Sequence, residues 1–379
     1  MTLSTTHGAA LARFEALLRI VCCPYTKKPL TLVDADQLSA RLPPDQRVRV
    51  QADTIGAFVS EAAGLAFPIV GRIADFLEQD ALRLADGPAP PAPHRADDAV
   101  KQHVKAWYDE FGWKRNEQGL YNDSVVFAES GLKGNGLYTF LSHLVLLERL
   151  TGGEFLLDAA SGAIAHPEYL AYSWFYKHRV CVDMSMTALQ EADRKLRAND
   201  FCCLADICHL PFREESFDAA VSGYTIQHIP AEQQGDAARE LHRVLRRGSS
   251  MFVITGHPRG AVHRALMLGM RARGKMRKLL GKVPVRAAEA PSSATSSPGA
   301  LYFFVPPLSW WHELARELGA TCSIQGLRLF EKFEFDWLFG ESNESARAVR
   351  AWERKHPKLT ARLGPAVVVE LRRDAPSKT

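Results

Sequence analysis

The run Phe155-Leu156-Leu157-Asp158-Ala159-Ala160-Ser161-Gly162 decides the fold. A strand-length apolar segment ends in an acid, and the acid is followed by small residues that let the backbone approach a ligand closely. The arrangement returns twice. Arg179-Val180-Cys181-Val182 ends in Asp183, 25 positions after Asp158, and Phe201 to Ala205 ends in Asp206, 23 positions further. Stretches 217–222 and 250–254 read as two more strands, and 186–197 and 232–246 carry helical periodicity with charges on one face. Alternating strands and helices predict a parallel sheet with crossover helices. Ligands of such sheets bind beyond the carboxyl ends of the strands, so three acids in register predict a shared crevice. An acid about 20 positions after a small-residue loop is placed to accept hydrogen bonds from ribose hydroxyls, which points to Asp183. Asp206 is placed to meet a purine amino group while Ile207 packs on the ring.

Outward from this core, the 379 residues suit two or three units. Apolar residues make up 46% and charged ones 24%, which excludes wholesale disorder. A net charge of +4 gives no argument for nucleic acid. Seven cysteines, with neighbours at Cys22-Cys23 and Cys202-Cys203, do not form a secreted disulfide framework, so a reducing, cytoplasmic setting is expected. No apolar run approaches membrane-spanning length, and Arg13, Glu15 and Arg19 interrupt the apolar pattern that a signal peptide needs.

Six segments are expected. A small unit spans 10–82, with helical spacing at Phe14, Leu17, Leu18 and Val21, a strand at 29–33, a polar excursion through Pro43-Pro44 and an apolar stretch at 66–70. A Pro/Ala linker covers 83–97. A helical lid or cap segment spans 98–150, the crevice-bearing core 151–257, a basic insertion followed by a mobile Ser/Pro/Ala stretch 258–300, and the rest of the sheet 301–373. That last part is expected to hold a helix at 310–318 and strands at 321–324 and 366–371. Nothing in the sequence sets an oligomeric state.

At this point the chain resembles the class I S-adenosylmethionine (SAM)-dependent methyltransferases, in particular their type-11-like branch. The match is Leu157-Asp158-Ala159-Ala160-Ser161-Gly162, Val182-Asp183, Ala205-Asp206-Ile207, Leu210-Pro211-Phe212, Phe217-Asp218 through Ser222, His228-Ile229-Pro230, and Glu240 through Gly248 before the fifth strand. It covers roughly 153–257, with a weaker extension to 373. The resemblance implies an α/β fold: a Rossmann-like seven-stranded sheet with helices on both faces. It also implies SAM as methyl donor, Asp158 by its methionine portion, the Ala160, Ser161 and Gly162 backbone against it, Asp183 on the ribose and Asp206 by the adenine. Met184, Ile207 and Ser222 complete the expected cofactor set. Ala160 departs from the pattern, since it stands where a glycine is usual and its methyl resists positive φ. A spaced GxGxxG is absent, which weighs against nicotinamide binding.

The first unit resembles the small zinc-ribbon-type domain that activates several RNA and protein methyltransferases, through Leu17 to Pro24, Ala66 to Ile69 and Ile73 to Leu77. Four zinc ligands are lacking: Cys23 is followed three positions later by Thr26, and no second cysteine pair precedes Cys181. A small α+β domain without metal is therefore expected. It either stabilises the catalytic domain and helps shape the acceptor pocket, or is a surface appendage.

Methyl transfer is an in-line displacement that depends on alignment in a desolvated site, and a hydroxyl acceptor benefits from a general base. His228, after the fourth strand, is the candidate base, with the alternative that it bonds backbone and fixes its loop. Tyr224 is the second candidate, or a packing residue. His166, Tyr169 and His257 are candidates for substrate binding, and His209 is a weaker one. Cys202-Cys203 reads as buried filler. Segment 259–286 is rich in Lys and Arg without an acid, and reads as a lid helix, an anion grip, a membrane-surface contact or a nucleic-acid stripe. Trp310-Trp311 and Phe303-Phe304 line an acceptor pocket or fill a core. Together these features predict a methyltransferase for a small-molecule acceptor in metabolite or natural-product biosynthesis. The alternatives are an RNA methyltransferase that uses the basic insertion, and a non-catalytic partner protein.

Overall fold

The computed structural model describes residues 10–89, 91, 99–123, 133–256, 261–279 and 301–375. Among the described residues twelve strands form one sheet: β1 (Thr31–Asp34), β2 (Thr54–Ser60), β3 (Leu65–Val70), β4 (Ile73–Asp75), β5 (Leu82–Arg83), β6 (Gly153–Ala159), β7 (Tyr176–Asp183), β8 (Phe201–Leu204), β9 (Phe217–Gly223), β10 (Leu245–Gly256), β11 (Ala320–Arg328) and β12 (Ala366–Arg373). The order is β1-β2-β3-β4-β8-β7-β6-β9-β10-β12-β11, with β5 beside β3. The last seven strands of this order form the expected α/β sheet. β8, β7, β6, β9 and β10 run parallel, and β12 lies antiparallel between β10 and β11.

Alternation along the strands sends side chains to opposite cores. Phe155, Leu157 and Ala159 of β6 enter the main core with Val180, Val182, Phe201, Cys203, Met251 and Val253. Leu156 joins Val221, Phe252, Ile254 and Val368 on the other face. Both faces being covered, the central strands read as nearly continuous apolar runs. Cys202 and Cys203 are buried on β8, and burial pushes both thiols well above their ordinary range, which suits inert packing.

The N-terminal unit continues this sheet. β4 pairs in parallel with β8 through Ile73↔Cys202, Ala74↔Cys203 and Asp75↔Leu204. Val21 bridges Phe212, flanked by Cys22 N–H on the Pro211 carbonyl (2.9 Å) and Arg213 N–H on the Ile20 carbonyl (2.8 Å). Phe14, Leu17, Phe58 and Phe76 share one core with Phe155, Phe201 and Phe212. The polar excursion expected before residue 66 in fact holds the helix Ala35–Arg41, started by an Asp34 capping box, and the wholly buried β2. The expected helix around 14–21 shortens to Glu15–Leu18, because the next backbone groups bond the 211–213 segment instead.

Three helices unforeseen in the sequence, Lys332–Phe339, Asn343–Lys355 and Pro357–Leu363, lie between β11 and β12. The first two pack against the helix Asn135–His143, where Tyr138 stacks on Phe335 at 4.7 Å and its hydroxyl bonds the Glu353 carboxylate, and the third packs on β11. The helix Leu308–Leu318 buries Trp311 in the main core, so Trp311 is a packing residue, whereas Phe303 and Phe304 are exposed. The basic segment forms the helix Ala261–Leu279, and the stretch 280–300 lies outside the described residues. No helix among the described residues is long and apolar enough to cross a membrane.

Asp75 ends the strand that joins the two units. It is buried, and its carboxylate accepts a hydrogen bond from Leu77 N–H at 3.0 Å. Burial, with Asp80 adding to it, raises its pKa from 3.8 to about 7 against the pull of that N–H and of Lys105. The folded state thus holds this proton more tightly than the unfolded chain, so its contribution to stability is present near pH 4 and is lost as pH rises through 7. Asp75→Asn should raise the melting temperature by a few degrees at pH 8 and by progressively less toward pH 4, followed by calorimetry. A difference independent of pH contradicts this assignment.

Candidate cofactor and acceptor site

A cavity of about 470 Å³ opens beyond the carboxyl ends of β6 to β9, where the order switches direction at β6. Each strand end supplies part of the wall: Ala160, Ser161 and Gly162 after β6, Asp183 and Met184 at β7, Asp206 and Ile207 after β8, Tyr224 and His228 after β9. His166 and Tyr169 also line it. The structure thus brings most of the expected site residues into one space. Asp183 organises it, since one carboxylate oxygen accepts Gly162 N–H and the other Ser185 N–H, both at 2.9 Å. Burial raises its pKa to about 6, opposed by those two N–H groups.

Ala160 does adopt the left-handed backbone that the sequence made costly, at φ 54°, and Gly162 follows at 55°. Tyr224, at φ 56°, is strained in the same way. Such non-glycine positions cost of order 1–3 kcal/mol each and gather at functional sites. Asp158 and Ser222 line a smaller neighbouring pocket instead. The Asp158 carboxylate receives Arg179 Nε at 3.0 Å and Nη2 more closely, while Arg179 Nη1 reaches the Tyr169 carbonyl at 2.7 Å. A buried carboxylate needs a charged partner, and the adjacent strand provides one. His257 lies outside the described residues.

The cavity also has walls that sequence reading missed. The helix Ala99–Trp107 places Lys101 Nζ 2.5 Å from Asp206 Oδ2, and Asp206 Oδ1 accepts Cys208 N–H at 2.9 Å. In the next turn Asp109 meets the Ser185 hydroxyl, and Trp113 stacks on Tyr108 at 5.4 Å. The Trp113 ring lies directly over Gly162, so that a Cβ there would fall 2.4 Å from Cζ2. Tyr121 anchors the segment through Glu191 at 2.7 Å and Lys195 at 2.9 Å. The aromatic run Trp107, Tyr108, Phe111, Trp113 falls in the segment expected to form a helical lid, but its sequence does not show which strand ends it covers.

At the inner end His143, His166, Tyr169, Tyr224, Arg328 and Glu331 converge. His143 Nδ1 is 3.3 Å from a Glu168 carboxylate oxygen. Burial lowers the His166 pKa to about 4, partly offset by Glu168. His228 Nδ1 lies 2.9 Å from the Tyr302 carbonyl, the backbone-fixing contact weighed for it, and burial lowers its pKa while that bond raises it. Its ring nevertheless lines the cavity and approaches Tyr108 at 6.2 Å. Among the described residues no group of three or more His, Cys, Asp or Glu is placed to hold a metal ion.

Two family models match the sequence: a methyltransferase domain over 157–253 and a Trm112p-like protein over 15–71. No curated protein matches the chain. Solved structures similar to it include a complex between the Haloferax volcanii Trm112 methyltransferase activator and a methyltransferase, at 13% identity and TM-score 0.41, covering 67% of this chain and 98% of that one. A Haemonchus contortus phosphoethanolamine N-methyltransferase 2 bound to S-adenosyl-L-methionine is 15% identical at TM-score 0.44, covering 78% and 63%. The geranyl diphosphate C-methyltransferase of Streptomyces coelicolor A3(2) is 11% identical at 0.44, covering 73% and 99%. The first family model thus marks residues 157–253, which run from β6 to β10 of the parallel sheet, as a methyltransferase domain. In this chain that domain follows a Trm112p-like stretch whose cysteines are Cys22 and Cys23.

The cavity fits the donor SAM on two observations: a loop so close-packed that Gly162 admits no side chain, and a half-buried carboxylate at the β7 end. Gly162→Ala should displace Trp113 and cost about 1–3 kcal/mol, the range for forced overpacking. Ala160→Gly should leave stability unchanged or slightly higher, because relief of left-handed strain offsets the usual cost of glycine. Denaturant unfolding of both variants checks the contrast, which equal losses would remove.

Proposed function

We propose that this cavity binds SAM with its ribose on Asp183, its adenine beside Asp206 and Ile207, and its methionine end over the Ala160, Ser161 and Gly162 backbone near Met184. The group supplies an electrophilic methyl on sulfur. The chain's own residues bind, orient and exclude water: the Asp183 carboxylate keeps lone pairs beyond those engaged by Gly162 and Ser185, and Trp113 and Tyr108 close the loop from above. Lys101 shares the Asp206 carboxylate and fixes its position beside the purine site.

The acceptor in this reading is a small molecule that reaches the methyl past Tyr224 and His228. The observation that carries it is the enclosed inner end, walled by His143, His166, Tyr169 and Arg328, all buried or half-buried. Segment 99–123 acts as the cap, and the Trm112p-like domain secures the β8 edge. The seven free thiols support a reducing, cytoplasmic setting. RNA as acceptor draws on the basic helix Ala261–Leu279, whose described side chains stand away from the cavity wall.

Calorimetry with SAM tests the cofactor half. Asp206→Ala should weaken binding about 10- to 100-fold, the value of a hydrogen bond to a charged group, and Asp183→Ala should abolish it. Unchanged affinity in both variants refutes the assignment, and no binding by the unmodified protein points to a non-catalytic partner. Bulk tRNA bound with a steep salt slope would move the acceptor to RNA.

A further inference from the structure

The inner end holds a pair of side chains that cofactor binding does not use. His143, the last residue of the helix Asn135–His143, is 3% exposed, and Glu168, in the first turn after His166, is 5% exposed. Glu168 is held below the usual carboxylate range: burial pushes it up, but His143 and its own backbone N–H outweigh that. An ionised carboxylate only accepts, so the ring nitrogen facing it, Nδ1 at 3.3 Å, carries the proton. Nε2 of the neutral ring then bears a lone pair. That atom is buried and has no hydrogen-bond partner among the described residues, and His143 lines the cavity. The Tyr224 hydroxyl is likewise buried with no hydrogen-bond partner among the described residues, and the two rings lie 6.2 Å apart, edge to face. Two unsatisfied polar atoms on neighbouring rings that both line the cavity mark a place built for a polar ligand group.

Resting on the reading above, we propose that Glu168 and His143 form a proton-accepting dyad for the methyl acceptor, which is therefore an O–H or N–H nucleophile held between His143 Nε2 and the Tyr224 hydroxyl. The acceptor's X–H bond breaks toward Nε2, and its electron pair stays on X. The methyl that replaces the proton comes from the donor's sulfonium, which is left as a thioether. The imidazolium formed on His143 is stabilised by the Glu168 carboxylate, and its proton passes to solvent when product leaves. His228 lacks this support, because its Nδ1 faces the neutral Tyr302 carbonyl. The groups around the dyad are set for the neutral resting ring. Burial lowers the His143 pKa, Arg328 and Arg350 add to that, and Glu168 opposes it. His166 and Tyr169 pack on the ring at 6.3 and 5.2 Å, and the Tyr172 hydroxyl holds the His143 carbonyl at 3.1 Å.

The test is ¹⁵N NMR of the full chain with labelled histidine and bound S-adenosylhomocysteine, His143 being assigned through His143→Gln. The expected result is a single Nδ1–H tautomer at pH 7 that charges only below the ordinary histidine range. In Glu168→Gln the midpoint should fall further and the tautomer should become mixed, since the amide can donate to Nδ1. Phenol and ethanolamine serve as probes: a shift of the Nε2 signal with phenol alone identifies an O–H acceptor, and a shift with ethanolamine an amine. An Nε2–H tautomer in the unmodified protein overturns the proposal, and so does an Nε2 signal that neither probe moves. Calorimetry of S-adenosylhomocysteine on the same sample separates the two readings, because failure to bind it sinks the cofactor assignment and leaves the tautomer result standing.

Discussion

One carboxylate ties the working parts together. Asp183 ends β7, and through its two oxygens it fixes the loop after β6 at Gly162 and the turn before the next helix at Ser185. Ser185 in turn meets Asp109 of the capping segment, and Gly162 lies under Trp113. The sheet, the loop after β6 and segment 99–123 are therefore held in one arrangement around one half-buried carboxylate. Burial makes that charge expensive and raises its pKa to about 6, and the N–H groups aimed at it oppose that rise. Any ligand that adds donors to the same carboxylate strengthens the whole arrangement.

The second organising contact is the parallel pairing of β4 with β8. An open sheet exposes unpaired backbone groups at its edge, and here the Trm112p-like domain covers one. With Phe14 and Phe58 packed into the same core as Phe155 and Phe201, this domain is part of the catalytic sheet and not a surface appendage. Lys105, two turns along the capping helix, acts electrostatically on Asp75 and Asp80 at that junction. The domain thus meets the cavity wall through the helix Ala99–Trp107 as well as through the sheet.

Some of this was legible in the residues. The strand-and-acid repeats located Asp183 and Asp206 because period-2 burial and an acid at a strand end are local patterns. Asp158 shares the pattern but not the fate: Arg179, 21 positions away, reaches it because β6 and β7 are neighbours. The helices between β11 and β12 escaped notice because their buried faces answer to Tyr138 and its surroundings, far away in sequence. His143 carried no signal at all, lying within a helix that reads as ordinary packing.

The order of apolar runs, small loops and acids determined by itself that a parallel sheet would form and where its crevice would open. Those choices follow from backbone sterics and from side-chain alternation over a few residues. Only the tertiary structure decided which carboxylates stay available to a ligand, which histidine gains a charged partner, and what roofs the cavity. The reason is physical. A buried charge or lone pair takes its character from whatever the fold sets within a few ångströms of it, and those neighbours come from chain segments that the sequence keeps far apart.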